Sequence, residues 1–97
     1  MGSFREFYPF YLSEHRNQVC RRLHFVGSIL GLGAVGVAIA TWDWRFALLG
    51  FLLGYSCAWI GHFFFEKNNP ATFRHPFYSF VGDWIMFKDM LTGRVKF

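Results

Sequence analysis

Two long apolar runs dominate the chain. Leu23 to Thr41 (LHFVGSILGLGAVGVAIAT) contains no Asp, Glu, Lys or Arg, and neither does Phe46 to Phe65 (FALLGFLLGYSCAWIGHFFF). Each is about twenty residues long, which a helix rising 1.5 Å per residue needs to cross roughly 30 Å of hydrocarbon. The link between them, Trp42-Asp43-Trp44-Arg45, is so short that the two helices must run antiparallel. Its tryptophans suit the headgroup level of a bilayer.

Small residues recur at helical spacing within each run. Gly27, Gly31, Ala34 and Ala38 share a face of the first, and Gly50, Gly54, Cys57 and Gly61 share a face of the second. Such faces let two helix backbones approach closely where lipid supplies no hydrophobic drive. The flanks read as interfacial. Ser3 followed by Glu6 has the form of a capping box opening a short helix that Pro9 would kink, and Asn17 is placed to cap the first long helix. Beyond Asn69-Pro70, a helix over 77–91 places Phe77, Phe80, Val81, Trp84 and Leu91 on one side. Asp83 and Asp89 fall elsewhere, and Lys88 can snorkel. The pattern predicts an all-α integral membrane hairpin, a single domain over 1–97. Its two transmembrane helices lie at about 23–41 and 46–65, with interfacial amphipathic helices at both ends.

Composition strengthens this picture. Hydrophobic residues make up 54% of the chain, aromatic residues 23% and charged residues 16%, against about 25% charged in a typical soluble domain. The net charge of +4 comes from cations that flank the apolar runs, so anionic headgroups fit it better than nucleic acid. Cys20 and Cys57 fall at different depths and form no C-x-x-C pair, which argues against a disulfide.

The candidate chemistry lies in the histidines. His24 sits just inside the start of the first run and His62 near the end of the second. An antiparallel hairpin brings those two points to similar depth. His24 also shares the small-residue face that turns toward the partner helix. Glu66 follows His62 by four residues and projects from the same side. His15 precedes the first run by about two turns and His75 follows the second by a short loop, so four histidines and one carboxylate can gather at one membrane level. Imidazole and carboxylate are the ligands that iron and zinc take, and two histidines with one carboxylate form the non-haem iron(II) facial set. An imidazole at the edge of hydrocarbon is costly without a partner. Taken one at a time, each histidine has a plainer reading as a group bonded to backbone, headgroup or water.

Two motif blocks carry a resemblance. His15-Arg16-Asn17 followed by His24 gives H-x-N-x6-H, and Gly61-His62 to Pro70-Ala71 gives G-H-x3-E-K-x2-P-A. Together, over roughly Phe7 to Leu91, they resemble the small membrane family that includes the yeast endoplasmic-reticulum 2-hydroxy fatty acid dioxygenase. The resemblance implies an iron(II)-dependent enzyme that shortens a 2-hydroxy fatty acid by one carbon using O2. It implies His15, His24 and His62 as catalytic metal ligands, with Glu66 beside them. His75 lies outside the motif and is a further candidate ligand. Asn17 is expected as a cap or a group behind the ligands, and Arg16 or Arg74 as the cation that meets the substrate carboxylate. The yeast type carries additional apolar segments where this chain has a four-residue turn, so the chain looks like a minimal, bacterial-type version. The expected cofactor is Fe(II), with Zn(II) as the ion a purified sample would carry instead. The expected partners are a lipid-derived 2-hydroxy fatty acid, O2 and membrane lipids, with a homo-oligomer as an open alternative to a monomer. Two other function classes remain at this point: a bis-histidine haem carrier using His24 and His62, and a non-enzymatic membrane hairpin.

Orientation follows from the cations. Residues 1–22 hold Arg5, Arg16, Arg21 and Arg22, residues 66–97 hold five more, and the link holds Arg45 alone. Both termini are expected on the cytoplasmic side of a bacterial inner membrane, with the link outside. In a cysteine-free background, a single cysteine at Asp43 should label from outside and one at Ser3 should not. Exterior labelling at Ser3 would overturn the orientation.

Overall fold

The computed structural model describes residues 2–97. Four helices follow in chain order: α1 (Phe4–Ser13), α2 (Gln18–Thr41), α3 (Arg45–Ile60) and α4 (Pro76–Leu91). A π-helical turn, Gly61–Glu66, continues α3 directly, and a 3-10 turn, Ala71–Phe73, precedes α4. Among the described residues there is no strand.

Local chemistry sets the boundaries. Ser3 Oγ accepts the Glu6 N–H at 3.3 Å, and the Glu6 carboxylate accepts from the Gly2 N–H at 3.2 Å, so α1 opens on a reciprocal cap. Pro9 lies within α1, yet the helix runs on to Ser13; the missing N–H deletes one bond without ending the helix. Asn17 Oδ1 accepts from the Val19 and Cys20 N–H groups at 2.9 and 3.1 Å. That cap starts α2 five residues before its apolar run, with Arg21 and Arg22 inside its first turns. α2 ends at Trp42, a non-glycine residue in the left-handed region at φ 56°, where the Asp43 N–H bonds back to the Ala38 carbonyl at 3.1 Å. In the exposed link, Arg45 pairs with Asp43 at 2.8 Å.

The small-residue faces make the hairpin. A Cβ placed on Gly27 would lie 2.9 Å from the Gly54 carbonyl oxygen, and one on Gly50 only 2.7 Å from Ala34 Cβ. A Cβ on Gly61 would meet Cys20 at 3.1 Å. The α2 and α3 backbones therefore touch along the face that the sequence marked. The opposite faces present Ile29, Leu32, Leu48 and Leu52, each at least half exposed. Both helical segments, Gln18–Thr41 and Arg45–Glu66, are long and apolar enough to cross a membrane, and only 11% of the most apolar α2 window is buried within the protein. A helix with so little of its apolar surface covered by its own chain is not behaving as the core helix of a water-soluble domain.

α4 turns two sides to the rest of the protein: Phe80 stacks on Phe51 of the hairpin with ring centroids 5.8 Å apart, and the small and polar side packs inward. Its buried face is Ser79, Gly82, Met86, Asp89 and Met90, whereas Phe77 and Leu91 are exposed. This face docks on α1, where Phe7, Tyr11, Met86 and Met90 form the buried cluster. The carboxylates turn inward because α1 offers them phenols. Tyr8 Oη donates to Asp89 Oδ2 at 2.7 Å, and Tyr11 Oη donates to Asp83 Oδ1. Gly82 admits the Tyr11 ring, which a Cβ there would meet at 3.0 Å. The exposed Phe77 and Leu91 are left for an apolar surrounding.

The glycines divide into two kinds by what surrounds them. Gly27→Ala and Gly50→Ala should each destabilise the detergent-solubilised protein by about 1–3 kcal/mol through overpacking. Gly33→Ala and Gly36→Ala, whose Cβ positions have no atom within 4 Å, should be neutral or stabilising by up to about 1 kcal/mol from helix propensity. Equal melting temperatures across the four variants would contradict the close contact.

Candidate metal centre

Three histidines meet where α1, α2 and the π-turn converge. His15 lies just past α1, His24 in the second turn of α2, and His62 in the π-turn; all three are buried. Their ring centroids are 4.5 Å (His15–His24), 4.5 Å (His15–His62) and 4.9 Å (His24–His62) apart, at interplanar angles of 78–89°. One nitrogen from each ring lies within 4.8 Å of the other two.

Hydrogen bonds fix which nitrogen that is. His15 Nδ1 is 2.6 Å from the Tyr11 carbonyl and His24 Nδ1 is 2.8 Å from the Cys20 carbonyl. A carbonyl only accepts, so both Nδ1 atoms carry the proton. His62 Nδ1 is 2.7 Å from Asn68 Oδ1. The Asn68 amide is itself oriented, because its Nδ2 donates to the Glu14 carbonyl at 3.1 Å and to Glu14 Oε2 at 2.6 Å. His62 therefore also donates through Nδ1. Each Nε2 is left as a bare lone pair, and the Nε2 atoms of His15 and His24 face each other at 3.2 Å. Two lone pairs at that distance, with no proton between them, repel unless a cation lies between. The 3.2 Å separation is one that two imidazole nitrogens bound to the same metal ion would have. The donor set and its spacing fit a divalent transition metal.

Electrostatics keep the site ready for a cation. Burial, and then the neighbouring imidazoles of His24 and His62, hold His15 well below the usual histidine range, so its ring is neutral at physiological pH. Arg21 adds to this effect while its guanidinium donates to the His15 and Arg16 carbonyls at 3.1 and 2.7 Å, fixing the linker.

The local backbone explains the placement. The π-turn widens the end of the second apolar helix, as such turns do at many functional sites. The His62 carbonyl accepts from both the Lys67 and Asn68 N–H groups. Lys67 adopts a left-handed conformation at φ 61°, which turns Asn68 back onto the His62 ring. Glu66 joins the two motif blocks. Its carboxylate accepts the Arg16 N–H at 3.0 Å and the Asn17 N–H at 2.6 Å, and Asn17 Nδ2 donates to the Phe65 carbonyl at 3.3 Å. Glu66 thus clamps the backbone beside His15, and both of its oxygens are engaged there. His75 also stands apart from the cluster, at the start of α4, with its ring edge against Phe7 and Phe10. Arg16 and Arg74 are exposed and line neither cavity described below.

Two adjoining spaces lie beside the histidines. A small cavity of about 10 Å³, the size of one water or ion, is lined by His15, His24, His62, Tyr11, Ser79 and Asp83 among others. It has no room for a porphyrin between His24 and His62, which removes the haem arrangement. A larger groove of about 180 Å³ runs between the hairpin and α4 past Gly27, Gly31, Val35, Phe51 and Trp84. His24, Tyr55, Ala58 and Asp83 line both spaces. Between His24 and Val35 the groove follows α2 for roughly 16 Å at 1.5 Å per residue, the scale of a long acyl chain.

The geometry can be set beside known proteins. Residues 1–95 match the family described as "Mpo1-like: 2-hydroxy-palmitic acid dioxygenase Mpo1-like". The chain belongs to this family. No curated protein and no solved structure matches it. The family's description carries the same fatty acid and dioxygenase theme that the two motif blocks implied, and the Mpo1-like match spans all four helices.

Several groups around this centre went unnoticed in the sequence. Tyr11 stacks on His15 at 4.0 Å, and its position one helical turn before His15 was the available signal. Asn68 sits at an unspecified position of the second motif block. Ser79 and Asp83 reach the cavity from the inward side of α4. Burial pushes the Asp83 carboxyl up to about 7, against the lesser lowering effect of the Tyr11 hydrogen bond. With the folded value raised above the unfolded one, the neutral form is favoured in the fold. Its contribution is fully present below about pH 4 and is lost as pH rises to about 7. In metal-free protein, the stability of wild type relative to Asp83→Asn should therefore decline over that window and level off above it. The thermal midpoints of the two proteins across pH 4–8 test this. A constant difference would place Asp83 in a solvated setting.

Proposed function

We propose that this chain is an iron(II)-dependent dioxygenase that removes one carbon from a 2-hydroxy fatty acid at the membrane interface. The observation that carries the proposal is the convergence of three bare Nε2 lone pairs beside an acyl-sized groove in a chain of the Mpo1-like family. His15, His24 and His62 are the proposed ligands. Iron(II) bound there would supply the activation of O2 and a point of attachment for the substrate's carboxylate.

The chain's own residues do the remaining work. The Tyr11 and Cys20 carbonyls and the Asn68 amide lock all three rings with Nε2 inward, which raises the basicity of each ligand and fixes its direction. The groove takes the acyl tail down toward the middle of the bilayer and leaves the polar head at the histidine cavity. Phe51, Phe80 and Trp84 wall the groove with apolar surface and keep water from the reacting carbon. Because the first turns of α2 carry Arg21 and Arg22, the histidines lie at headgroup depth, where an amphipathic acid would enter from the cytoplasmic leaflet. The two apolar helices hold this arrangement in an inner membrane with both termini cytoplasmic.

Loss of a ligand usually empties a small site. His15→Ala, His24→Ala and His62→Ala should each abolish bound iron and the one-carbon shortening while the protein stays in the membrane. Asn68→Ala should weaken metal affinity by about 10–100-fold, and His75→Ala should do neither. The checks are iron per chain in detergent and product chain length after incubation with 2-hydroxy-palmitic acid under air. Stoichiometric iron in the His24→Ala and His62→Ala proteins would refute the site. Iron without turnover in wild type would keep the site and refute the substrate.

A further inference from the structure

The wall of the histidine cavity contributed by α4 is polar, and nothing in the arrangement of the ligands accounts for it. Ser79 and Asp83 are four residues apart on α4 and so share a face, and both line the cavity with His15, His24 and His62. Ser79 is 1% exposed, and its Oγ has no hydrogen-bond partner. A buried hydroxyl with no partner is costly and rare, and it points to a ligand group that completes it. Asp83 uses one carboxyl oxygen to accept from Tyr11, and among the described residues no hydrogen bond reaches the other. Asp83 also lines the groove, whose other walls are mainly apolar. Any acid that enters tail-first must bring its head to this point.

We propose that Ser79 and Asp83 form the subsite that recognises the 2-hydroxyl group and so separates 2-hydroxy acids from unsubstituted fatty acids. This deepens the substrate reading above and rests on it. The metal ligands alone would hold any carboxylate, so discrimination at the second carbon needs a polar partner placed beyond the carboxylate. Asp83 lines both the groove and the cavity, so it borders the place where the second carbon of a tail-down acid would lie. Its free oxygen and the Ser79 hydroxyl hydrogen-bond the 2-hydroxyl. An acid lacking that group leaves the buried Ser79 hydroxyl and one oxygen of the half-buried Asp83 unpaired, which is a basis for rejection. Tyr11 acts as a positioning residue: its ring lies on His15 and its hydroxyl holds Asp83 in place.

The test is binding of 2-hydroxy-palmitic acid and palmitic acid to iron-loaded protein without oxygen, each by displacement of a fluorescent fatty acid. Wild type should bind the 2-hydroxy acid more tightly. Ser79→Ala and Asp83→Leu should each reduce that preference about tenfold with iron content unchanged, while Asp83→Asn, which keeps a hydrogen-bonding oxygen, should restore much of it. A purely structural role would weaken both acids alike, so an unchanged ratio in Ser79→Ala and Asp83→Leu overturns the subsite even if affinity falls. Ser79→Ala removes a single oxygen and keeps the test valid should Asp83→Leu fail to fold. Absence of any preference in wild type would instead refute the substrate reading, and the subsite with it.

Discussion

Three imidazole lone pairs aimed at one point repel one another, and the rest of this small protein can be understood as what holds them there. The Nε2 atoms of His15 and His24 stand 3.2 Å apart with their protons committed to the opposite side of each ring. Left to itself, either ring would rotate to place a proton between them or expose itself to solvent. Both escapes are blocked. Backbone carbonyls of α1 and α2 anchor two rings, and an Asn68 amide fixed by Glu14 anchors the third. A single cation is able to satisfy all three nitrogens together, which the two protons of one water cannot.

The fold supplies this convergence with very little chain. α2 and α3 approach closely enough at Gly27, Gly50 and Gly54 to bring the two ends of the hairpin side by side, which sets His24 next to His62. Glu66 then ties the linker before α2 to the π-turn after α3 through two backbone N–H groups. This tie brings His15 in as the third member. α4 closes the far side by docking on α1 through Tyr8–Asp89 and Tyr11–Asp83. The same docking leaves a groove between α4 and the hairpin that shares His24, Tyr55, Ala58 and Asp83 with the histidine cavity. The histidine cluster and the groove are thus two results of one packing arrangement.

Much of this was legible in the residues. Uncharged runs of about twenty residues and a four-residue link left only a hairpin, and the spacing of Gly27, Gly31, Gly50 and Gly54 named the contact face. Comparable depth brought His24 and His62 together on paper. What escaped was set by tertiary contacts that carry no periodic signal. Glu66 looked like a ligand because it lies four residues after His62, but the π-turn changes the angular relation between those positions and the carboxylate meets backbone N–H groups instead. Residues 77–91 read as an amphipathic helix whose aromatic side meets the membrane or the hairpin, and Phe80 does stack on Phe51 while Phe77 and Leu91 stay exposed. What the pattern did not show is that the phenols of α1 draw Asp83 and Asp89 inward beside that side, where each carboxylate finds a hydrogen-bond donor. Ser79 gave no sequence signal at all.

The central claim is that one metal ion sits on three imidazoles of a single chain. X-ray absorption at the iron edge of anaerobically loaded protein measures this directly. The account predicts one iron per chain with three imidazole nitrogens at about 2.1 Å, recognisable by the outer-ring scattering of histidine. Iron carrying one imidazole or none, or scattering dominated by carboxylate oxygen, would contradict it.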